Sequence, residues 1–192
     1  MTFDHNDHYH PLLLRHLPAG AATALDVGCG TGLFARRLAA RGVVVDAIDP
    51  SPEVIEAAPR AAGVRYARAD VTAMDLPEAH YDFISCLASL HHVPFETVVR
   101  LRAALVPGGV LAVLGCYRES TAADHLTSLA AVPVNAAARL ALSRRSSAPV
   151  KAPVRPPVMT LGEVREHTAR LLPGARVRRL LFWRYLLVSR RP

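Results

Sequence analysis

Cysteine is scarce in this 192-residue chain, which holds only Cys29, Cys86 and Cys116. An odd count without a CxxC pair excludes a disulfide framework, and their apolar or glycine-rich surroundings exclude a cysteine zinc site. Long hydrophobic runs are missing too: no uncharged apolar stretch reaches the roughly 18 residues that a membrane-spanning helix needs. The opening MTFDHNDHYHP has acids and histidines where a secretory leader needs a basic start and an apolar run. The expectation is a cytoplasmic protein without membrane insertion. Lysine is rarer still, with Lys151 the one exception among 23 basic residues. Acids are sparse in the last third, where residues 121–192 set 3 carboxylates against 13 basic groups, while residues 1–120 set 13 against 10. Such a basic stretch can attract nucleic acid, an anionic membrane surface or an acidic small molecule, and it also fits a solvated basic face.

What the chain has is apolar substance: 51% hydrophobic residues over a length that suits one domain. After a short polar arm, Pro11–Leu17 reads as one or two helical turns. Strand patterns follow at Ala24–Val27, Val43–Ile48, Val64–Ala67, Phe83–Leu87 and Val110–Cys116. Helical patterns alternate with them at Gly32–Arg41, Pro52–Ala62 and Glu96–Leu105, the last stopped by Pro107-Gly108-Gly109. Strands alternating with helices predict a parallel sheet covered on both faces, and the continuous apolar run VLAVLGC fits such burial.

From Thr121 the pattern changes. Asp124–Leu142 reads as a helix interrupted at Pro133, and Ser146–Pro157 as a proline-rich loop. Thr160-Leu-Gly-Glu163 has the form of a capping box that opens a helix to about Leu172. Val177–Phe182 and Tyr185–Ser189, separated by Trp183-Arg184, read as an antiparallel hairpin.

Leu25-Asp-Val-Gly-Cys-Gly-Thr-Gly-Leu-Phe34 ends the first strand and opens a helix, so its glycines let the backbone turn tightly and approach a ligand. The third glycine of a dinucleotide loop would fall at Leu33 and is absent. Asp26 would repel a pyrophosphate but suits a ligand with an ammonium group and a sulfonium charge. Asp49 ends the second strand, where a carboxylate can accept from ribose hydroxyls, or can cap the helix after Pro50-Ser51. Asp70 follows the third strand and can accept from an adenine amino group, or can cap a turn.

LDVGCGTG (25–32), AIDPS (47–51), RADVTAMDLP (68–77), YDFISCLASLHHV (81–93) and LVPGGVLAV (105–113) occur in an order that resembles the class I S-adenosylmethionine-dependent methyltransferases. The likeness is to the small-molecule, ubiquinone/menaquinone-biosynthesis-like branch and covers roughly residues 20–118. It implies an α/β, Rossmann-like, doubly wound, mostly parallel seven-stranded sheet ending in the antiparallel hairpin. It further implies S-adenosyl-L-methionine as cofactor and S-adenosyl-L-homocysteine as product. Asp26 would lie near the methionine amino group, Gly28, Cys29 and Gly30 against the cofactor, Asp49 and Pro50 at the ribose, and Asp70 with Val71 at the adenine. Leu87 would line the same crevice.

In this topology the segment after the fourth strand, Leu87-Ala-Ser-Leu-His91-His92, projects into the ligand crevice. His91 or His92 is the candidate acceptor base or orienting group, since imidazole titrates near neutrality; packing at a helix start is the competing reading. The segment lacks both the Asn/Asp-Pro-Pro-aromatic quartet of base-amine methylases and a Pro-Cys nucleophile, which argues against DNA methylation. Cys86 reads as core. His8, Tyr9 and His10, if the first helix folds over the acceptor pocket, and Tyr117 after the fifth strand, are candidate substrate-binding residues. No metal site is expected.

Residues 1–192 thus read as a single methyltransferase domain, with residues 1–20 over the site and 121–158 an inserted lid. Arg139, Arg144, Arg145, Lys151 and Arg155 in that lid favour an anionic acceptor. The expected function is methyl transfer to an oxygen, nitrogen or carbon nucleophile of a small metabolite by a monomer or homodimer. Alternatives are RNA methylation, motivated by the basic third, and a non-catalytic binding protein on the same fold.

Overall fold

A computed structural model describes residues 5–121, 124 and 156–192. The interrupted helix, most of the proline-rich loop and the five lid cations named above therefore lie outside the described residues. Seven strands form one sheet: β1 (Thr23–Val27), β2 (Val44–Asp49), β3 (Val64–Arg68), β4 (Tyr81–Leu87), β5 (Leu105–Cys116), β6 (Arg176–Arg179) and β7 (Arg184–Arg190). Their order is β3-β2-β1-β4-β5-β7-β6, parallel through β5, with β7 antiparallel to both of its neighbours. The order reverses between β1 and β4, so a crevice opens beyond their carboxyl ends.

Strand alternation sends successive side chains to two separate cores. Ala24, Phe83, Ala112 and Leu114 pack with Phe34 and Leu38 of α2 (Leu33–Ala39) and Leu13 of α1 (His5–Leu14). Leu25, Ile84, Leu111 and Val113 pack with Val98 and Leu101 of α4 (Thr97–Ala104) and with Val164 of α5 (Leu161–Leu171). The short α3 (Pro52–Glu56) is capped by Ser51. The capping box of α5 forms as expected, with Thr160 and Glu163 each accepting from the other's backbone N–H.

Four boundaries differ from the sequence expectation, each for a physical reason. The polar arm is already helical, because Tyr9 and Leu13 bury against the sheet and hold α1 together through the bond lost at Pro11. Helix α3 stops at Glu56, ahead of Pro59, which disfavours helical backbone in the residue before it. Pro107-Gly108-Gly109 does not end a helix but lies inside β5, where the pairing with β4 shifts register. Arg191 secures that irregularity: Gly108 donates to its carbonyl and its own N–H donates to Gly109, both at 2.9 Å. The hairpin loop is Leu180–Trp183, not two residues, because Phe182 leaves the strand to fill the core against Tyr9.

Candidate functional site

The glycine loop sits at the carboxyl end of β1, with Gly28 and Cys29 both donating to the Ile48 carbonyl, at 2.8 and 2.9 Å. Gly28 has φ 67, and a Cβ there would lie 2.3 Å from the Cβ of Ser89, so only glycine lets the turn after β4 press against the loop. Ser89 fixes that contact by donating to the Val27 carbonyl at 2.6 Å. Gly30 has φ 56, yet nothing lies within 4 Å of where its Cβ would be. Its open face is where a ligand can approach the backbone.

Asp49, at the end of β2, is a brace for this loop. Its Oδ2 accepts from the Gly30 N–H at 3.1 Å and its Oδ1 from the Ser51 N–H at 3.0 Å. Ser51, not Asp49, caps α3. A carboxylate has about four acceptor positions, so Asp49 keeps capacity for the hydroxyls of a ribose.

Asp26 lies beneath the same loop and is 1% exposed. Its Oδ1 accepts from the Ser85 hydroxyl at 2.7 Å, while Oδ2 is buried without a hydrogen-bond partner. Burial pushes its pKa up to about 7; the Ser85 bond and the nearby Ala35 amide pull it down, and Asp49 pushes it further up. A buried acceptor left without a donor costs about 1–3 kcal/mol, so this oxygen calls for a donor or a cation that binding supplies.

Asp70 stands exposed beyond β3 and closes a turn: its Oδ1 accepts from the Thr72 N–H at 2.8 Å and the Thr72 hydroxyl at 2.7 Å. Those two bonds hold its carboxyl below the usual range. Val71 beside it is buried in the core. Arg100 of α4 holds the segment in place by donating to the carbonyls of Val71, Thr72 and Met74 at 2.9, 2.7 and 2.5 Å. Pro50 is exposed at the end of β2, and Leu87, partly buried, ends β4. Burial raises the thiol pKa of Cys29, which donates to the Gly30 carbonyl at 3.3 Å, and that of Cys86, so neither is a ready thiolate.

The two histidines fall on a 3-10 turn, Leu90–His92, with ring centroids 4.0 Å apart. They face different surroundings. His92 is exposed, whereas His91 borders a cavity of about 50 Å³ lined also by Phe95, Cys116, Met159, Val164 and Tyr185. Tyr117, next to that wall, is buried in the same core. On α1, His8 is exposed, with its ring edge-on to Tyr9 and Phe182. Tyr9 is buried and donates its hydroxyl to the Leu181 carbonyl at 3.1 Å. His10 is buried, edge-on to Phe34, with Asp7 3.6 Å away. Tyr9 and His10 therefore make packing contacts that fix α1 beside the crevice. Among the described residues no group of three His, Cys, Asp or Glu side chains is placed to hold a metal ion, and no helix is long and apolar enough to cross a membrane.

Sequence reasoning missed Ser85 and Ser89. The only sequence signal for Ser85 is a small hydroxyl in an apolar strand, and it gains meaning once the register sets Ser85 beside Asp26.

The fold and the loop define an α/β protein of the doubly wound kind, with a glycine loop after β1 and carboxylates at Asp26 and Asp49 near the ends of its first two strands. A family model described as a methyltransferase domain matches residues 24–109. An uncharacterised methyltransferase of Mycobacterium tuberculosis is 40% identical over 194 residues, covering 97% of this chain and 96% of that protein. A ubiquinone biosynthesis O-methyltransferase of Coxiella burnetii is 35% identical over 94 residues, a partial match to 45% of this chain and 40% of that one. Among solved structures, a SAM-dependent methyltransferase from Methanosarcina mazei superposes with TM-score 0.65 at 16% identity, covering 100% of this chain and 99% of that one. This chain belongs to the class I S-adenosylmethionine-dependent methyltransferases. The residues present fit that cofactor: Gly30 offers an open backbone, Asp49 has spare acceptor capacity and Asp26 holds a buried oxygen in want of a positive partner.

Proposed function

We propose that the protein transfers the methyl group of S-adenosylmethionine to an oxygen, nitrogen or carbon nucleophile of a small metabolite. The observation that carries this reading is the pair of strand-end carboxylates around Gly30, one braced and one buried with an unmatched oxygen. Asp49, with Pro50 beside it, would accept from the ribose hydroxyls. Asp26 would balance the cationic amino acid end, with Gly28, Cys29 and Gly30 lying against it. Asp70 and Val71 would border the adenine and Leu87 the mouth of the crevice. When bound, the cofactor supplies a methyl group on a positively charged sulfur, which leaves the protein to align the acceptor and remove its proton.

The acceptor end of the reading rests on the cavity beside His91. Its lining is mostly aliphatic and aromatic, which supports an acceptor whose buried part is apolar, with the His91 imidazole as the proton-accepting or orienting group. Tyr117, Tyr9 and His10 would act by shaping the walls, and His8 would stand at the rim. Isothermal titration with S-adenosylmethionine, S-adenosylhomocysteine and NAD tests the cofactor end: the expected result is binding of the two sulfur nucleosides and not of NAD. Binding of NAD alone would overturn the reading. A methyl-transfer screen of phenols, amines and acidic metabolites then tests the acceptor end.

A further inference from the structure

Ser85 hydrogen-bonds Asp26. It belongs to β4, directly opposite Asp26 of β1 in the parallel register, and is fully buried. Its hydroxyl donates to Asp26 Oδ1 at 2.7 Å and lies 3.4 Å from the Leu25 carbonyl. Around this pair the face is apolar, made by Ala24, Phe34, Ala35, Phe83 and Ala112. A carboxylate in such a place keeps its charge only if something stabilises it.

The Ser85 hydroxyl and the Ala35 amide favour the charge, and Asp49 opposes it. Asp49 on β2 and the Cys29 thiol on the loop add negative or neutral character, and Cys86 likewise lies on β4. Arg36 of α2 is turned to the Thr31 carbonyl at 2.6 Å and the Tyr66 hydroxyl at 3.3 Å. The Ser85 hydroxyl is thus the side-chain donor that fixes the carboxylate through Oδ1, the Ala35 amide of α2 being the backbone group that also favours its charge, and Oδ2 is left for the ligand.

We propose that Ser85 is a positioning residue for cofactor binding: its bond to Asp26 Oδ1 keeps that carboxylate ionised and oriented so that Oδ2 serves the cationic amino acid end of S-adenosylmethionine. The assignment rests on the cofactor placement given above. It ties cofactor affinity to pH, because protonation of Asp26 removes the charge the ammonium group needs. It also ties the effect to one end of the cofactor, since on that placement Asp49 and Asp70, not Asp26, would hold the ribose and the adenine.

The test measures dissociation constants of S-adenosylmethionine and 5′-methylthioadenosine from pH 5.5 to 9 for the natural protein, Ser85→Ala and Ser85→Cys. Methylthioadenosine keeps the adenine and ribose but lacks the amino acid end. Ser85→Ala should weaken S-adenosylmethionine by roughly 5- to 10-fold at pH 7, the loss of one hydrogen bond to a charged group. It should move the midpoint of the pH dependence upward, converge on the natural protein near pH 9 and leave methylthioadenosine within twofold. Ser85→Cys, a close isostere with a weaker donor, should fall between the two. An unchanged midpoint, or equal weakening of methylthioadenosine, overturns the assignment while leaving the cofactor placement standing. If the natural protein binds methylthioadenosine but gains nothing from the amino acid end, the placement of Asp26 fails and the role of Ser85 with it.

Discussion

The two sides of the crevice are built differently. On the cofactor side, Asp26, Gly28, Gly30 and Asp49 come from β1, β2 and the loop between β1 and α2, and each is fixed by backbone or buried hydrogen bonds. On the proposed acceptor side, His91, Cys116, Met159 and Tyr185 come from four distant stretches of chain and meet through packing around a cavity of about 50 Å³. Recognition of a fixed nucleoside needs placed acceptors, and short runs of sequence place them. The proposed acceptor pocket depends instead on tertiary packing, which brings His91 beside a small apolar cavity.

The two histidines can be told apart by substitution. His91→Ala should lower kcat by about 10²- to 10⁴-fold, the usual contribution of a positioned base, while the dissociation constant of S-adenosylmethionine stays within twofold. His92→Ala, at an exposed position on the same turn, should change kcat less than threefold. Equal losses in both variants would mean that the turn, not an imidazole, matters to turnover.

Asp49→Ala probes the other side. Losing a charged acceptor that also braces Gly30 should weaken S-adenosylmethionine by roughly 10- to 100-fold in calorimetric titration. Affinity within twofold would place the ribose elsewhere.

The pH response of the ligand-free protein sharpens the contrast further. Asp26, raised to about 7 by burial, binds a proton in the folded state that the unfolded chain has released above about pH 4. Stability of the ligand-free protein should therefore fall as pH rises from about 4 through 7. Asp26→Asn, which cannot ionise, should flatten that dependence and raise Tm at pH 8 by roughly 2–6 °C, as its cofactor affinity drops. Thermal scans across pH with and without S-adenosylmethionine check both halves; a Tm that still falls in Asp26→Asn would place the titration in another group.

The same contrast explains what could be read in the sequence. The strands through β5, the glycine loop and its carboxylates were legible because hydrophobic periodicity and turn chemistry are local. The exchange of helix stop for register shift at Pro107-Gly108-Gly109 was not, because it depends on Arg191 pairing across 82 residues from Gly109. Nor was the burial of Phe182, which answers to Tyr9 on α1. Ser85 was silent for the same reason: its function is conferred by the strand beside it. His91 and His92 looked alike in sequence, and only the packing of α5 and β7 gives one of them a cavity.

The smallest expected effect concerns the basic edge of the sheet. Strand β6 is an edge, and its exposed Arg176 and Arg178 protect it from pairing with other chains, as charged side chains on edge strands do. On that account Arg176→Ala/Arg178→Ala should shift stability by less than about 0.5 kcal/mol and leave S-adenosylmethionine binding and turnover unchanged. Filter binding of a structured RNA supplies the contrary outcome. Were the edge to hold RNA, affinity would fall steeply with salt, and removal of two phosphate contacts would reduce the slope of log K against log salt by roughly 1.5–2. Such a change would move the acceptor from a small metabolite to a polynucleotide. A flat, weak response in both proteins leaves the arginines as guards of an exposed strand and the proposed acceptor site at His91 unchanged.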